Sequence, residues 1–305
     1  MGPRSERVLI TGGSGFTGRP LTERLRQDGH DVVVLSHDAA APHALTVDLR
    51  DFDAITRALT ETRPGAIVHL AGIAAPTHGN IGEIYSANVI GTANLFAALE
   101  IAKVEPRIVI VASSGQVYAA PDAETAMTEE APLGPKSHYA ISKHATEEIA
   151  AIYSRQFRVI VTRPFNYTGP GQATSFLVPK IVRHYAEQRR EIHLGNLNLF
   201  RDFSDITRVV EAYARLVSLP IEPTTINICS GRAVLLADIL KIMDEISGYR
   251  MRVVTDPALV RAKETRFIVG SPSRLEALIG PLPNPDFRET LTQIYDSFRR
   301  EAGET

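Results

Sequence analysis

The segment Thr11-Gly12-Gly13-Ser14-Gly15-Phe16-Thr17-Gly18 constrains this chain more than any other. It follows the apolar run Arg7–Thr11 and precedes residues of helical period, so it reads as a strand–turn–helix start. Glycines at 12, 15 and 18 give the spacing G-x-x-G-x-x-G. Glycine permits the tight turn and lets backbone N–H groups approach a pyrophosphate at a helix N-terminus, where the dipole favours negative charge. The turn points to a dinucleotide and to a parallel α/β sheet.

The rest of the first half agrees. Arg7–Thr11, Asp31–Leu35, Ala66–Leu70, Arg107–Ser113 and Arg158–Arg163 read as strands without polar alternation, which implies burial on both faces. Pro20–Asp28, Asp53–Glu61, Glu83–Ala102 and Ser137–Gln156 read as the intervening helices. The expected fold is α/β, a doubly wound parallel sheet. After Pro164 the rhythm changes. Phe165–Ala173, with Gly169, Pro170 and Gly171, is expected to be a loop leaving the sheet. Helices are expected at Leu177–Gln188, Thr207–Ser218, Leu235–Gly248 and Phe287–Glu301, with strands at Glu191–Leu194, Thr225–Cys229 and Arg252–Thr255. Residues 1–165 are therefore expected to form the dinucleotide-binding domain. Residues 166–305 should be mainly a smaller C-terminal α/β substrate-binding lobe, with a stretch such as 198–220 returning to the first domain.

Composition narrows the partners. Lys+Arg 33 against Asp+Glu 35 leaves a net charge of −2, which provides no basic field for nucleic acid or an anionic membrane. No apolar run is expected to span a bilayer, and Met1 to Glu6 is too short and polar for a signal peptide, so a cytoplasmic protein is expected. The single cysteine, Cys229, excludes an intramolecular disulfide and a multi-cysteine metal site, and no metal is expected.

At the end of the second strand, where an acid ordinarily binds the adenosine ribose, the chain reads Ser36-His37, with Asp38 two residues late. Without the acid a 2′-phosphate meets no repulsion, and Arg19 could supply a cation. NADP(H) is slightly favoured over NAD(H). Tyr139 and Lys143 lie four apart on one helix face, where the lysine charge lowers the phenol's pKa and makes it a usable acid or base. Ser113-Ser114 end a buried strand, where open α/β sheets place their ligand crevice.

Taken together, Gly12, Gly15 and Gly18, Asp48, His69-Leu70-Ala71-Gly72, Asn88, Ser114, Tyr139 and Lys143 resemble the extended short-chain dehydrogenases/reductases, the nucleotide-sugar epimerase/dehydratase group with a Rossmann domain. The resemblance implies Ser114, Tyr139 and Lys143 as the catalytic residues. Ser114 and Tyr139 would bind the oxygen at the reacting sugar carbon, and Lys143 would hold the nicotinamide ribose. It places Gly12, Gly15, Phe16, Thr17, Gly18, Ser36, His37, Asp48, Leu49, Leu70, Ala71, Gly72, Asn88, Tyr139, Lys143 and Pro164 at the cofactor, with Asp48 and Leu49 at the adenine. Gly72 departs from the commoner alanine.

Arg163-Pro164-Phe165-Asn166-Tyr167-Thr168-Gly169-Pro170-Gly171-Gln172, with Gly195-Asn196-Leu197 and Arg201-Asp202-Phe203, resembles the GDP-mannose branch, closest to GDP-6-deoxy-4-keto-D-mannose reductases. That implies Asn166, Arg201, Arg261 and Glu264 at the nucleotide diphosphate and ribose, with Ser114, Gln116, Gln172, Val178 and Asn196 completing the substrate site. Dehydratases of this group carry a glutamate two residues after the catalytic Ser/Thr. Here that residue is Gln116, which cannot act as a base. A 3,5-epimerase would need a Cys/His pair, and Cys229 sits in an apolar strand. The expected reaction is NAD(P)H-dependent reduction of the C4 keto group of a nucleotide-linked 4-keto-6-deoxyhexose, GDP-linked by resemblance. A 4-epimerase or 4,6-dehydratase on the same scaffold, or a non-catalytic NADP-sensing regulator, stays open. The resemblance also implies a homodimer through Glu83–Ala102 and Ser137–Gln156.

Overall fold

In the computed structural model, which describes residues 5–74, 79–121, 123–220, 222–260 and 264–303, the apolar runs of the first half become strands. These are β1 (Arg7–Thr11), β2 (Asp31–Ser36), β3 (Ala44–Thr46), β4 (Ala66–His69), β5 (Ile108–Ala112) and β6 (Val159–Pro164). Between them run α1 (Gly18–Gln27), α2 (Phe52–Thr62), α3 (Ile81–Tyr85), α4 (Gly91–Ala102) and α5 (His138–Tyr153). The absence of polar alternation has the expected cause: Val8–Ile10, Ala66–Val68 and Ile108–Val111 are buried on both faces. Each such aliphatic side chain stabilises the fold by about 1.5–3 kcal/mol on leaving water. Leu95, Phe96 and Leu99 of α4 cover one face of the sheet, and Leu21 and Leu25 of α1 the other.

The second half adds β7 (Asn166–Thr168), α6 (Leu177–Ala186), β8 (Glu191–Leu194), β9 (Phe200–Asp205), α7 (Ile206–Ser218), β10 (Thr224–Ile228), β11 (Ala233–Leu235), α8 (Leu236–Ser247), β12 (Arg252–Thr255), β13 (Phe267–Ile268), α9 (Ser273–Ile279) and α10 (Phe287–Glu301). The large sheet is parallel throughout, in the order β10-β6-β5-β4-β1-β2-β3. The chain leaves β1 in one direction for β2 and returns on its other side at β4, and a reversal of this kind opens a crevice at the strands' carboxyl ends. A smaller sheet, β11-β9-β13 with β7 on β9, and the pair β12-β8 form the second lobe. Ile181 of α6, Leu240 of α8 and Leu291 of α10 pack its core.

Several expectations change. The strand expected in the second lobe near Thr225–Cys229 is β10, and it joins the large sheet beside β6. α7 packs Val209 and Tyr213 into the core of that sheet, and α9 follows with Leu275 and Ile279, whereas β9, within the same stretch 198–220, belongs to the smaller sheet. Phe165–Ala173 is not all loop, because β7 lies within it and pairs in parallel with β9. β9 was itself unexpected, since its sequence is Phe-Arg-Asp-Phe-Ser-Asp. Asp202 takes a core position there by accepting hydrogen bonds from Ser230 N (2.8 Å), Ser230 Oγ (2.7 Å) and Gly231 N (2.9 Å). Burial still pushes its carboxyl pKa up, against those bonds.

The helix expected from Glu83 begins at Ile81, capped by Asn80 Oδ1, which accepts Glu83 N at 3.1 Å. It contains a π-turn at Ser86–Ile90, where Gly91 N–H reaches back to Ser86 O. The whole run 81–102 is long and apolar enough to cross a membrane by length and composition, contrary to the sequence expectation. In the fold it lies against the sheet with Ile84, Leu95, Phe96 and Leu99 buried.

Candidate active site

One groove of about 1310 Å³ runs across the carboxyl ends of the large sheet and between the two lobes. At its floor Gly12 takes φ +70°, and a Cβ there would stand 2.8 Å from the Ala71 backbone. A Cβ on Gly18 would overlap Gly12 O and Gly13 Cα. Gly15 differs, for its Cβ would approach only Gly12 O, at 3.2 Å, and would otherwise project into open space. The first and third glycines are thus required by the protein itself. The second is less constrained by packing, and a glycine there leaves room for the close approach of a pyrophosphate. α1 starts here with no side-chain cap and no acid in its first turn, so its amides can receive an anion.

At the end of the groove beside β2, His37, Asp48 and Leu49 line the wall. Ser36 does not, being buried with its hydroxyl 2.8 Å from Ser14 Oγ and accepting Asp38 N at 3.0 Å. Arg19, the expected cation, points its Nε to Ser14 O (2.7 Å) and is absent from the wall. Arg50 stands on the wall instead. It grips Asp48 through Nε–Oδ1 (2.9 Å) and Nη2–Oδ2 (2.5 Å), holding that carboxyl below its ordinary range. Only its place two residues after Asp48 could have drawn attention to it.

At the centre, Ser114, Tyr139 and Lys143 meet. Ser137 caps α5 by accepting Ala140 N at 3.1 Å, which sets the helical register two residues before Tyr139. Tyr139 and Lys143 therefore share a face, 7% and 6% exposed. Burial pushes the Tyr139 phenol up to about 12, while its hydrogen bond with Ser114 pulls it down. Burial lowers the Lys143 ammonium to about 8, opposed by the Glu147 charge. Lys143 Nζ donates to Ala112 O at 2.7 Å. Tyr139 is thus a protonated phenol at neutral pH on the same helix face as Lys143.

Leu70, Ala71 and Gly72 line the groove below, shaped by a buried hydrogen-bond chain. Thr92 Oγ1 gives its proton to Asn88 O (2.6 Å) and so accepts from His69 Nε2 (2.9 Å). His69 Nδ1 then accepts from Thr11 Oγ1 (2.7 Å), whose oxygen receives Ala71 N–H (3.2 Å). Burial first, then the Lys143 charge, lowers His69 to about 3 and keeps it neutral. Asn88 lies behind the wall rather than on it. Its Oδ1 accepts Ile73 N (2.7 Å), and its Nδ2 donates to Ser142 Oγ (2.9 Å). A Cβ at Gly72 would sit 2.6 Å from that Oδ1, so glycine here lets Asn88 come close.

At the other end, Gln116, Pro164, Asn166, Gln172, Val178, Asn196, Arg201 and Glu264 all line the groove, while Arg261 lies outside the described residues. Gln116 is exposed to it. Gln172 spends its amide on its own loop, donating to Tyr167 O (3.1 Å) and accepting Thr168 Oγ1 (2.7 Å). Arg201 donates to Phe200 O at 2.7 Å, and one Glu264 carboxylate oxygen is buried without a hydrogen bond. Cys229 is fully buried, and burial pushes its thiol pKa up. Besides Arg50, the lining residues not anticipated from sequence include Tyr167 and Lys180. Tyr167 hydrogen-bonds Thr17 Oγ1 (2.8 Å) and stacks on Phe16, closing the phosphate turn against the second lobe. Lys180 reaches the groove from α6.

Comparison with known proteins agrees with this geometry. A model of the NAD dependent epimerase/dehydratase family matches residues 8–229. The chain is 34% identical over 275 residues to GDP-6-deoxy-D-talose 4-dehydrogenase of Aggregatibacter actinomycetemcomitans, covering 90% of this chain and 91% of that protein. It is 30% identical over 310 residues to GDP-6-deoxy-D-mannose reductase of Pseudomonas aeruginosa, covering 98% and 99%. The solved structure of RMD from Pseudomonas aeruginosa complexed with NADPH superposes with a TM-score of 0.86 at 29% identity, covering 99% of this chain and all of that one.

Proposed function

The chain belongs to the NAD dependent epimerase/dehydratase family, and on that premise we propose that it reduces the C4 keto group of a GDP-linked 4-keto-6-deoxyhexose with NADPH. The carrying observation is what the groove offers around Ser114 and Tyr139: one buried phenolic acid, and no base where dehydration needs one. Gln116 stands two residues after Ser114 on the wall, and an amide cannot take a proton from carbon. Cys229 is sealed in the core, away from any sugar. Two relatives named for chemistry at GDP-6-deoxyhexoses support the same reading.

A nicotinamide dinucleotide whose pyrophosphate rests on the Gly12–Gly18 turn would supply the hydride. Tyr139 gives its phenolic proton to the oxygen forming at C4, a step general acid catalysis accelerates by about 10²–10⁴. Ser114 donates a hydrogen bond to the same oxygen and orients the carbonyl. Lys143, held at Ala112 O, stabilises the phenolate left on Tyr139. Arg201 and Lys180 supply positive charge at the end of the groove that receives the diphosphate. Arg50 and His37, with a serine pair in place of a ribose-binding acid, favour NADPH over NADH.

Following NAD(P)H oxidation against GDP-, dTDP-, CDP- and UDP-linked 4-keto-6-deoxy sugars tests the reading, with fastest turnover expected for the GDP sugar and NADPH. Interconversion of UDP-sugars without net NAD(P)H consumption would replace it with epimerisation. The assembly proposed is a cytoplasmic homodimer through 81–102 and α5. Ile84 and Leu95 face the core, whereas Ile101 (66%) and Ile152 (72%) stand exposed on these helices. The double substitution Ile101→Glu/Ile152→Glu is expected to halve the mass measured by light scattering, and an unchanged mass would place the contact elsewhere.

A further inference from the structure

The elements that carry the reacting side chains converge on one buried ion pair. Tyr139, Lys143 and Glu147 follow one another at four-residue spacing along α5, so a single face presents all three. Glu147 is 8% exposed and Arg163 6%. They meet as a bidentate pair, Nε–Oε1 at 2.8 Å and Nη2–Oε2 at 2.7 Å. Glu147 Oε1 also accepts the Ser113 hydroxyl at 2.5 Å. Ser113 immediately precedes Ser114 beyond β5, and Arg163 immediately precedes the wall residue Pro164 on β6. Arg163 is packed 4.8 Å over the Tyr118 ring and donates Nη1 to Glu129 O at 3.3 Å.

A desolvated pair adds little stability over apolar side chains of the same volume, so its presence calls for another reason. We propose that Glu147 is a positioning residue: anchored by Arg163 and tied to Ser113, it sets the spacing between the strand end bearing Ser114 and the helix face bearing Tyr139 and Lys143. The inference rests on the proposed joint action of Ser114 and Tyr139 on one substrate oxygen. The titratable groups facing Lys143 are Tyr139 and Glu147 on its own helix and His69 on β4, and of these Glu147 favours the charged ammonium.

Two variants test it. Glu147→Leu/Arg163→Met removes both charges together, leaving neither unpaired, and Ser113→Ala removes the serine's links to α5, at Glu147 Oε1 and at Lys143 O (3.5 Å). Thermal midpoint, NADPH affinity by fluorescence titration, kcat, KM and the pH profile of kcat are measured on each. The double variant is expected to fold, to bind NADPH as the wild type does, and to lose on the order of tenfold to a hundredfold in kcat at nearly constant KM. Its alkaline limb should move to lower pH, because Lys143 has lost the charge that favours its proton. Ser113→Ala should lower kcat in the same direction by less, with an unchanged midpoint. A folded double variant with wild-type kcat and pH profile overturns the proposal. Should it fail to fold, Ser113→Ala decides, and wild-type kcat there overturns it equally. If the wild type interconverts UDP-sugars and reduces no 4-keto sugar, the reductase reading fails by itself and the variants are scored on interconversion. A wild type with neither turnover overturns both.

Discussion

The phosphate turn and the Ser230–Gly231 turn beside β9 solve one problem in opposite ways. Each presents backbone N–H groups that no helix or strand partner takes. At the Ser230–Gly231 turn the chain supplies its own anion, since Asp202 fills those amides from within. At the phosphate turn Gly12 N and Gly15 N donate to Leu35 O and Gly12 O, but no side chain caps the start of α1, and beyond Gly12 O the Gly15 side faces space that the protein leaves clear. A satisfied nest of amides stabilises a fold, whereas an unsatisfied one in a groove binds. The same local chemistry is structural in one lobe and, in the proposed function, receives the cofactor in the other.

The largest effect is expected where the two regions meet over the substrate. Tyr139→Phe should lower kcat by about 10²–10⁴ while leaving NADPH affinity intact, measured by steady-state kinetics beside a binding titration. Wild-type rates would remove Tyr139 from the chemistry. The comparison itself is tested by Gly15→Ala against Asp202→Asn. Gly15→Ala should keep the thermal midpoint and weaken NADPH binding by roughly tenfold or more, a methyl group standing where the backbone must approach the ligand. Asp202→Asn should leave the phosphate turn unaltered but cost about 1–3 kcal/mol in denaturant unfolding, because the amides of Ser230 and Gly231 lose a charged acceptor. If both variants destabilise the fold alike, the contrast fails.

The pH response sharpens it further. With Tyr139 held near 12 and Lys143 near 8, the phenol stays protonated at neutrality and the ammonium is lost first. Reduction should therefore be level at neutral pH and decline above about pH 8, read as the alkaline limb of kcat. The same shift acts on stability with the opposite sense. Between about 8 and the ordinary lysine value of 10.5, the unfolded chain binds a proton that the folded chain does not, so this group's contribution to stability rises with pH there. The smallest effect is expected at Arg50. Arg50→Ala should weaken NADPH by about twofold to fivefold and NADH by less, as suits an exposed charge.

What could be read in the sequence follows the same division. The glycine turn and the Tyr139–Lys143 spacing are local patterns whose function depends on neighbours within a few residues, and both stand in the groove where they were expected. β7 and β9 carry no such pattern, because β7 is a strand only through β9, 37 residues away in register, and because Asp202 of β9 occupies a position that apolar residues ordinarily mark. β10 was visible as a strand but not as a neighbour of β6, since a buried parallel strand looks the same in either sheet. Ser36 and Asn88 were read as cofactor contacts and lie behind the wall, for spacing reveals which residues gather and not which way a side chain turns.

The late arrival of β10 also governs how this chain comes off the ribosome. Until residue 228 has been made, β6 is an unprotected sheet edge, and the face that Val209 and Tyr213 of α7 will cover is bare. The nascent first half must therefore wait, half-assembled and prone to pairing with other chains, for a segment synthesised some sixty residues after its own last strand.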